Sequence, residues 1–131
     1  MVHYLDTSAL VKLVVAEPET PALRAWLREE TDRTLVSCDV ARTELLRAVR
    51  RTAPDRVVQA RAVLDSVTLT TVTTALFEAA GRLDPPGMRS LDALHLAAAL
   101  DLGDDLVSLV TYDDRLARAA LANGITVTTP R

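Results

Sequence analysis

Short β-branched apolar runs alternate with helix-spaced segments along the whole chain, and this alternation limits the fold more than any other feature. The runs Val2 to Leu5, Thr34 to Ser37, Val67 to Val72, Leu106 to Val110 and Ile125 to Thr128 have the length and composition of strands. Between them, a helix starting near Ala9 and the segments Ala22 to Glu30, Val40 to Arg51, Arg56 to Leu64, Leu76 to Leu83, Leu91 to Leu102 and Leu116 to Ala122 have helical spacing. Strands that alternate with helices predict an α/β fold, a parallel sheet covered on both faces. No repeat, low-complexity tract or linker interrupts the pattern, and the Pro85-Pro86-Gly87 loop is too short to divide it, so one domain over 1–131 is expected.

Composition narrows the class. With 49% hydrophobic and 25% charged residues, a chain of 131 residues can build a real core and is not expected to be disordered. The longest apolar stretches are broken by Lys12, His95 or Asp101, which excludes the ~18 uninterrupted apolar residues of a membrane span. No signal-peptide pattern opens the chain, and Cys38 is the sole cysteine, so the expectation is a cytoplasmic protein without an internal disulfide and Cys38 as a small core residue. The net charge is −3, yet of the 15 basic residues all but Lys12 are arginines. That bias suits phosphate recognition and is equally the mark of a GC-rich genome, while an acidic total leaves local nucleic-acid binding open.

In an open parallel sheet, ligands bind outside the carboxyl ends of the strands, so residues just past those ends come first. Asp6 follows the first strand; Asp113 and Asp114 follow the strand through Val110. Each has an ordinary structural role available: Asp6 as the N-cap of the next helix, and one of Asp113 and Asp114 as a cap with the other in the first turn. Glu44 is more telling. On a helical wheel its i−4, i−3 and i+4 neighbours are Val40, Ala41 and Ala48, the arc that should face the core, although a surface pairing with Arg47 would also satisfy it. Asp92 opens a helix apolar nearly all round, with Ser90 as candidate N-cap. His95, one turn later, could bond Asp92, but a lone histidine on an apolar helix reads as a satisfied core residue and is left out of the site. Several carboxylates brought together repel one another unless a cation binds, and all-oxygen ligation selects Mg²⁺ or Mn²⁺ over zinc.

YLDTSALVKL, ARTELLRA, SLDALHLAAA and VTYDDRLARAA, in this order and spacing, resemble the PIN-domain ribonucleases, specifically the VapC toxins of toxin–antitoxin pairs. The likeness runs essentially end to end. It implies a three-layer α/β/α sandwich around a mainly parallel sheet of about five strands. It also implies a metal-dependent endoribonuclease that uses Mg²⁺ or Mn²⁺ to hydrolyse RNA phosphodiesters. Carried over, the acids are Asp6, Glu44, Asp92 and Asp113, with Asp6, Asp92 and Asp113 holding metal and Glu44 ligating it or orienting the water. Ser8 and Thr111 are supporting residues, Asp114 is an optional extra carboxylate, and Arg47 and Arg51, on the side of the helix that carries Glu44, are candidates for substrate phosphates. The expected partners are RNA, a VapB-type antitoxin whose basic side chain would meet the carboxylates, and a second copy in a homodimer, with a higher assembly once antitoxin binds. The apolar Leu10, Leu13 and Val14 face could be interface or core.

Two other classes compete. A receiver-like Mg²⁺-binding signalling domain needs a lysine on a late loop, and Lys12 lies early. A non-catalytic PIN-like binding module would not need the intact set of acids.

Overall fold

The computed structural model describes residues 1–131. Each β-branched run forms a strand, the second reaching one residue further than its run, to Cys38: β1 (Val2–Leu5), β2 (Thr34–Cys38), β3 (Thr68–Thr70), β4 (Leu106–Val110) and β5 (Val127–Thr128). They form one sheet in the order β3-β2-β1-β4-β5 with every pairing parallel. β3 and β5 are shorter than the runs that contain them. Both lie at edges, where a residue can pair on one side only.

Seven α-helices connect the strands: α1 (Thr7–Val14), α2 (Thr20–Glu29), α3 (Val40–Thr52), α4 (Val57–Ser66), α5 (Thr74–Gly81), α6 (Ser90–Leu100) and α7 (Asp114–Ala122). Period-two alternation along the central strands splits the core into two layers. Leu5 and Val110 pack with Leu10, Leu45 and Leu64 of α1, α3 and α4, whereas Tyr4 and Leu109 pack with Leu76, Leu96 and Leu116 of α5, α6 and α7. The result is a three-layer α/β/α sandwich. Leu10 and Val14 are buried in the first layer and Leu13 packs against it, so this face of α1 is core.

Local sequence explains the helices. On α3, Ala41, Leu45 and Val49 recur every four residues and are fully buried, while Arg47 and Arg50 face solvent. Pro54 follows the end of α3, where its missing N–H costs the helix nothing. In α6 every residue from Ala93 to Ala99 is buried, as a helix apolar all round requires, and its four alanines allow close approach to the sheet. No helix is long and apolar enough to cross a membrane.

The topology locates a crevice. From β1 the chain adds β2 and β3 on one side, then crosses over to add β4 and β5 on the other. Connections leave β1 and β4 in opposite directions, which opens the space at their carboxyl ends. There the Asp6 amide donates to the Val110 carbonyl at 3.2 Å, so the two strand ends are tied together where their acids emerge.

Candidate active site

Asp6 is the N-cap of α1: its Oδ1 accepts from the Ala9 amide (3.1 Å) and the Ser8 hydroxyl (2.7 Å), and its Oδ2 accepts from the Thr111 hydroxyl (2.7 Å). Only 4% of the residue is exposed. Burial pushes its carboxyl pKa up, against the opposing charge of His95 and the three donors. The supporting hydroxyls also hold the neighbouring loop, for Ser8 Oγ accepts from the Tyr112 amide (2.9 Å) and Thr111 Oγ1 from the Asp113 amide (3.1 Å).

Asp113 and Asp114 separate cleanly. Asp113 caps α7, its Oδ1 accepting from the Arg115 and Leu116 amides at 2.9 and 3.2 Å, and its Oδ2 accepts from the Arg89 guanidinium. Asp114 is the first residue of α7 and is exposed, suited to the helix dipole and away from the cavity. Asp92 sits in the first turn of α6, which begins one residue earlier than a Ser90 cap would have it. The cap position belongs to Arg89, with no side-chain capping bond. Its guanidinium is engaged elsewhere: Nε donates to Asp92 Oδ2 (3.1 Å) and Nη2 to Asp113 Oδ2 (3.0 Å). Asp6, Asp92 and Asp113 therefore all occupy helix N-termini, where unpaired amides favour negative charge.

Glu44 does not pair with Arg47. Its Oε1 accepts from the Thr7 hydroxyl (2.9 Å) and from His95 Nε2 (2.6 Å), and the other ring nitrogen of His95, Nδ1, lies 2.7 Å from the Tyr4 hydroxyl. Leaving His95 out of the site is thus corrected. It is a buried core residue with both nitrogens bonded, yet it lines the cavity, and its carboxylate partner is Glu44 rather than Asp92 because α6 turns Asp92 toward Arg89. Burial opposes a charged imidazole, but hydrogen bonds to Cys38 and Glu44 and the negative surroundings outweigh it, and the pKa of His95 is pushed up to about 10. For Glu44, burial raises the carboxyl, but the bond and charge of His95, with smaller help from Thr7 and Arg89, bring it below its ordinary value.

All four acids, with Thr7, Ser8, Arg89 and His95, line one cavity of about 340 Å³. Arg47 and Arg51 are exposed on α3 and line an adjoining groove that shares Thr7 and Glu44 with it. Carboxylate oxygens from separate elements around such a cavity are the donor chemistry of a hard divalent ion. No three acidic or imidazole side chains converge within ligating reach of one point, and two of the carboxylates are drawn onto Arg89. Arg89 and Thr7 escaped the sequence reading. Their signals were an arginine three residues before Asp92 and a hydroxyl between Asp6 and Ser8.

The sheet brings four carboxylates to the cavity at its switch point, and the chain that does so matches the PIN domain family model over residues 3–121. Ribonuclease VapC46 of Mycobacterium tuberculosis is 44% identical over 127 residues, 97% of this chain and 96% of that protein. Ribonuclease VapC47 of the same species is 38% identical over 130 residues, with the same shares covered. Among solved structures, Mycobacterium tuberculosis VapC20, described as a Sarcin-Ricin loop cleaving toxin, superposes with a TM-score of 0.76 over 95% of this chain and 96% of its own, at 19% identity. VapBC2 from Rickettsia felis, bound to a DNA fragment from its promoter, gives 0.74 over 100% of each chain at 15% identity. The chain belongs to the PIN-domain family and, within it, to the VapC ribonucleases.

Proposed function

We propose that this protein is a metal-dependent endoribonuclease, the toxin of a toxin–antitoxin pair, hydrolysing RNA phosphodiester bonds in the carboxylate cavity. The observation that carries this reading is the arrival of four acids from four different helix starts and faces at one crevice, with hydroxyls and an imidazole fixing their orientation. Asp6, Asp92 and Asp113 would hold Mg²⁺ or Mn²⁺. When bound, the ion supplies a water of lowered pKa and neutralises charge on the phosphoryl oxygens.

The remaining steps rest on the chain's own groups. Glu44 has both its bonds on Oε1 and keeps Oε2 to accept a hydrogen bond from the attacking water, while His95 holds it ionised and fixed. Ser8 and Thr111 hold Asp6 in one rotamer, so the deepest ligand is preorganised. Arg47 and Arg51 meet phosphates of the RNA as it leaves the cavity along α3, contacts that position rather than specify. Asp114 stays outside the chemistry.

The partners follow from the family. Solved structures of the same fold include a toxin-antitoxin complex from Klebsiella pneumoniae, which supports an antitoxin partner here, of VapB type. A basic antitoxin side chain directed at the carboxylates, a homodimeric toxin within the larger assembly and a cytoplasmic location belong to the same proposal and rest on the family resemblance alone. A receiver-like signalling domain is disfavoured by topology: that class has the strand order 2-1-3-4-5, whereas this sheet runs β3-β2-β1-β4-β5. Lys12 is also engaged away from the cavity, with Glu19 and Glu17. The intact, ordered set of acids speaks against a non-catalytic module.

RNA cleavage by purified protein with Mg²⁺ or Mn²⁺ tests the proposal. Asp6→Asn should lose about a hundredfold or more in rate. Equal cleavage by both proteins, or none by the wild type with either ion, would remove the nuclease assignment.

A further inference from the structure

We propose that Arg89 is an exchangeable counter-ion of the active site: it bridges Asp92 and Asp113 while no metal is bound, and releases both carboxylates when a divalent ion enters. The inference rests on the metal-dependent reading above and assigns a residue that the resemblance does not.

The geometry is that of a cation placed where an ion would go. Arg89 uses two different nitrogens, Nε and Nη2, to reach two carboxylates carried by different helices, at 3.1 and 3.0 Å. In both acids the atom it holds is Oδ2. For Asp113 that is the only oxygen available to a metal, because Oδ1 is committed to capping α7. Guanidinium and metal ion therefore compete for the same atom. Left without either, Asp92 and Asp113 would line the cavity with Asp6 and Glu44 and no bridging cation, and four carboxylates gathered in one cavity repel.

The bridge is also built to open. The Arg89 side chain is 62% exposed, whereas Asp92 and Asp113 are 16% and 24% exposed, so the arginine reaches in from solvent onto acids that are themselves fixed. It can leave without disturbing the core, since only its own exposed side chain moves, and a pair with one solvated partner is weak enough for a divalent ion to displace it. Arg89 also lines a second cleft, of about 720 Å³, which shares Asp92 with the cavity and has the Asp84 carboxylate in its lining; on this proposal the displaced guanidinium moves into that cleft. Affinity for the metal is then set by a competition inside the protein rather than by the carboxylates alone.

Calorimetric titration of Mn²⁺ into EDTA-stripped full-length protein tests the exchange. Arg89→Gln should bind Mn²⁺ about threefold to tenfold tighter than wild type, with Arg89→Lys between them, because an ammonium cannot span both acids. Arg115→Gln removes a charge from the same cleft without touching the bridge, and should stay within about twofold of wild type. In EDTA, Arg89→Gln should melt below wild type, and Mn²⁺ should raise its midpoint by more. Unchanged or weaker binding by Arg89→Gln sinks the proposal, as does an equal gain in Arg115→Gln. If wild type and all variants fail to bind Mn²⁺, the metal-dependent reading itself falls, and this inference with it.

Discussion

One hydroxyl, that of Thr111, couples two acids: it donates to Asp6 Oδ2 and accepts from the Asp113 amide, at full burial. Valine has almost the same shape and neither capacity. Thr111→Val should therefore destabilise the protein by about 1–3 kcal/mol, the usual cost of stranding buried polar partners, with Thr111→Ser recovering most of it. Urea denaturation at neutral pH measures both. A loss below about 0.5 kcal/mol in the valine variant would show that Asp6 is held by Ser8 and Ala9 alone. Legibility in the sequence stops at the same atoms. Asp6 and Asp113 are visible as acids just past strands, and Asp113 separates from Asp114 by its place before the helix. The hold of Thr111 on Asp6, and the tie between Thr111 and Ser8, span about a hundred residues of chain, and no local pattern records them.

At the scale of elements, α3 carries two faces with separate duties. Its Ala41, Leu45 and Val49 stripe is core, and its Glu44, Arg47 and Arg51 edge borders the cavity and groove. The wheel of this helix revealed Glu44 because an acid beside an apolar arc is conspicuous. The partner of Glu44 stayed hidden because it comes from α6, where the apolar surroundings of His95 disguise its polar role. If the arginines hold RNA phosphates, an Arg47→Gln/Arg51→Gln pair, made with Asp6→Asn to prevent cleavage, should bind RNA more weakly. The slope of log affinity against log salt should flatten by about one to two units. Binding measured across a salt series decides it, and an unchanged slope would return both residues to ordinary surface charge.

Across the whole molecule, the Glu44 to His95 bond joins α3 of one helical layer to α6 of the other, passing over the carboxyl edge of the sheet. The pH dependence of that tie has a definite sign. An imidazole near 6.5 when unfolded and about 10 when folded contributes stability that is fully present below 6.5 and is lost as pH rises toward 10. The urea midpoint should thus fall between pH 7 and pH 9.5 in wild type, and fall less in His95→Gln; identical slopes would mean that His95 is neutral in the fold. The alternation of strand and helix already indicated the sandwich, and motif order indicated the four acids. It could not indicate that Thr7 of α1 meets Glu44 of α3 and His95 of α6, or that Arg89 reaches Asp113 at the start of α7, contacts that exist only once these helices converge.

The sheet's outer strands set a limit on how anything can attach to this molecule. β3 offers three residues and β5 two, and Pro130, which has no N–H to give, follows just beyond β5. A peptide that binds by extending a sheet needs a run of free backbone groups, and neither margin supplies one. Recognition, whether of a polypeptide or of another copy, is directed to side-chain surfaces of the helices and the clefts between them, and the same blunt margins guard the folded chain against stacking edge to edge.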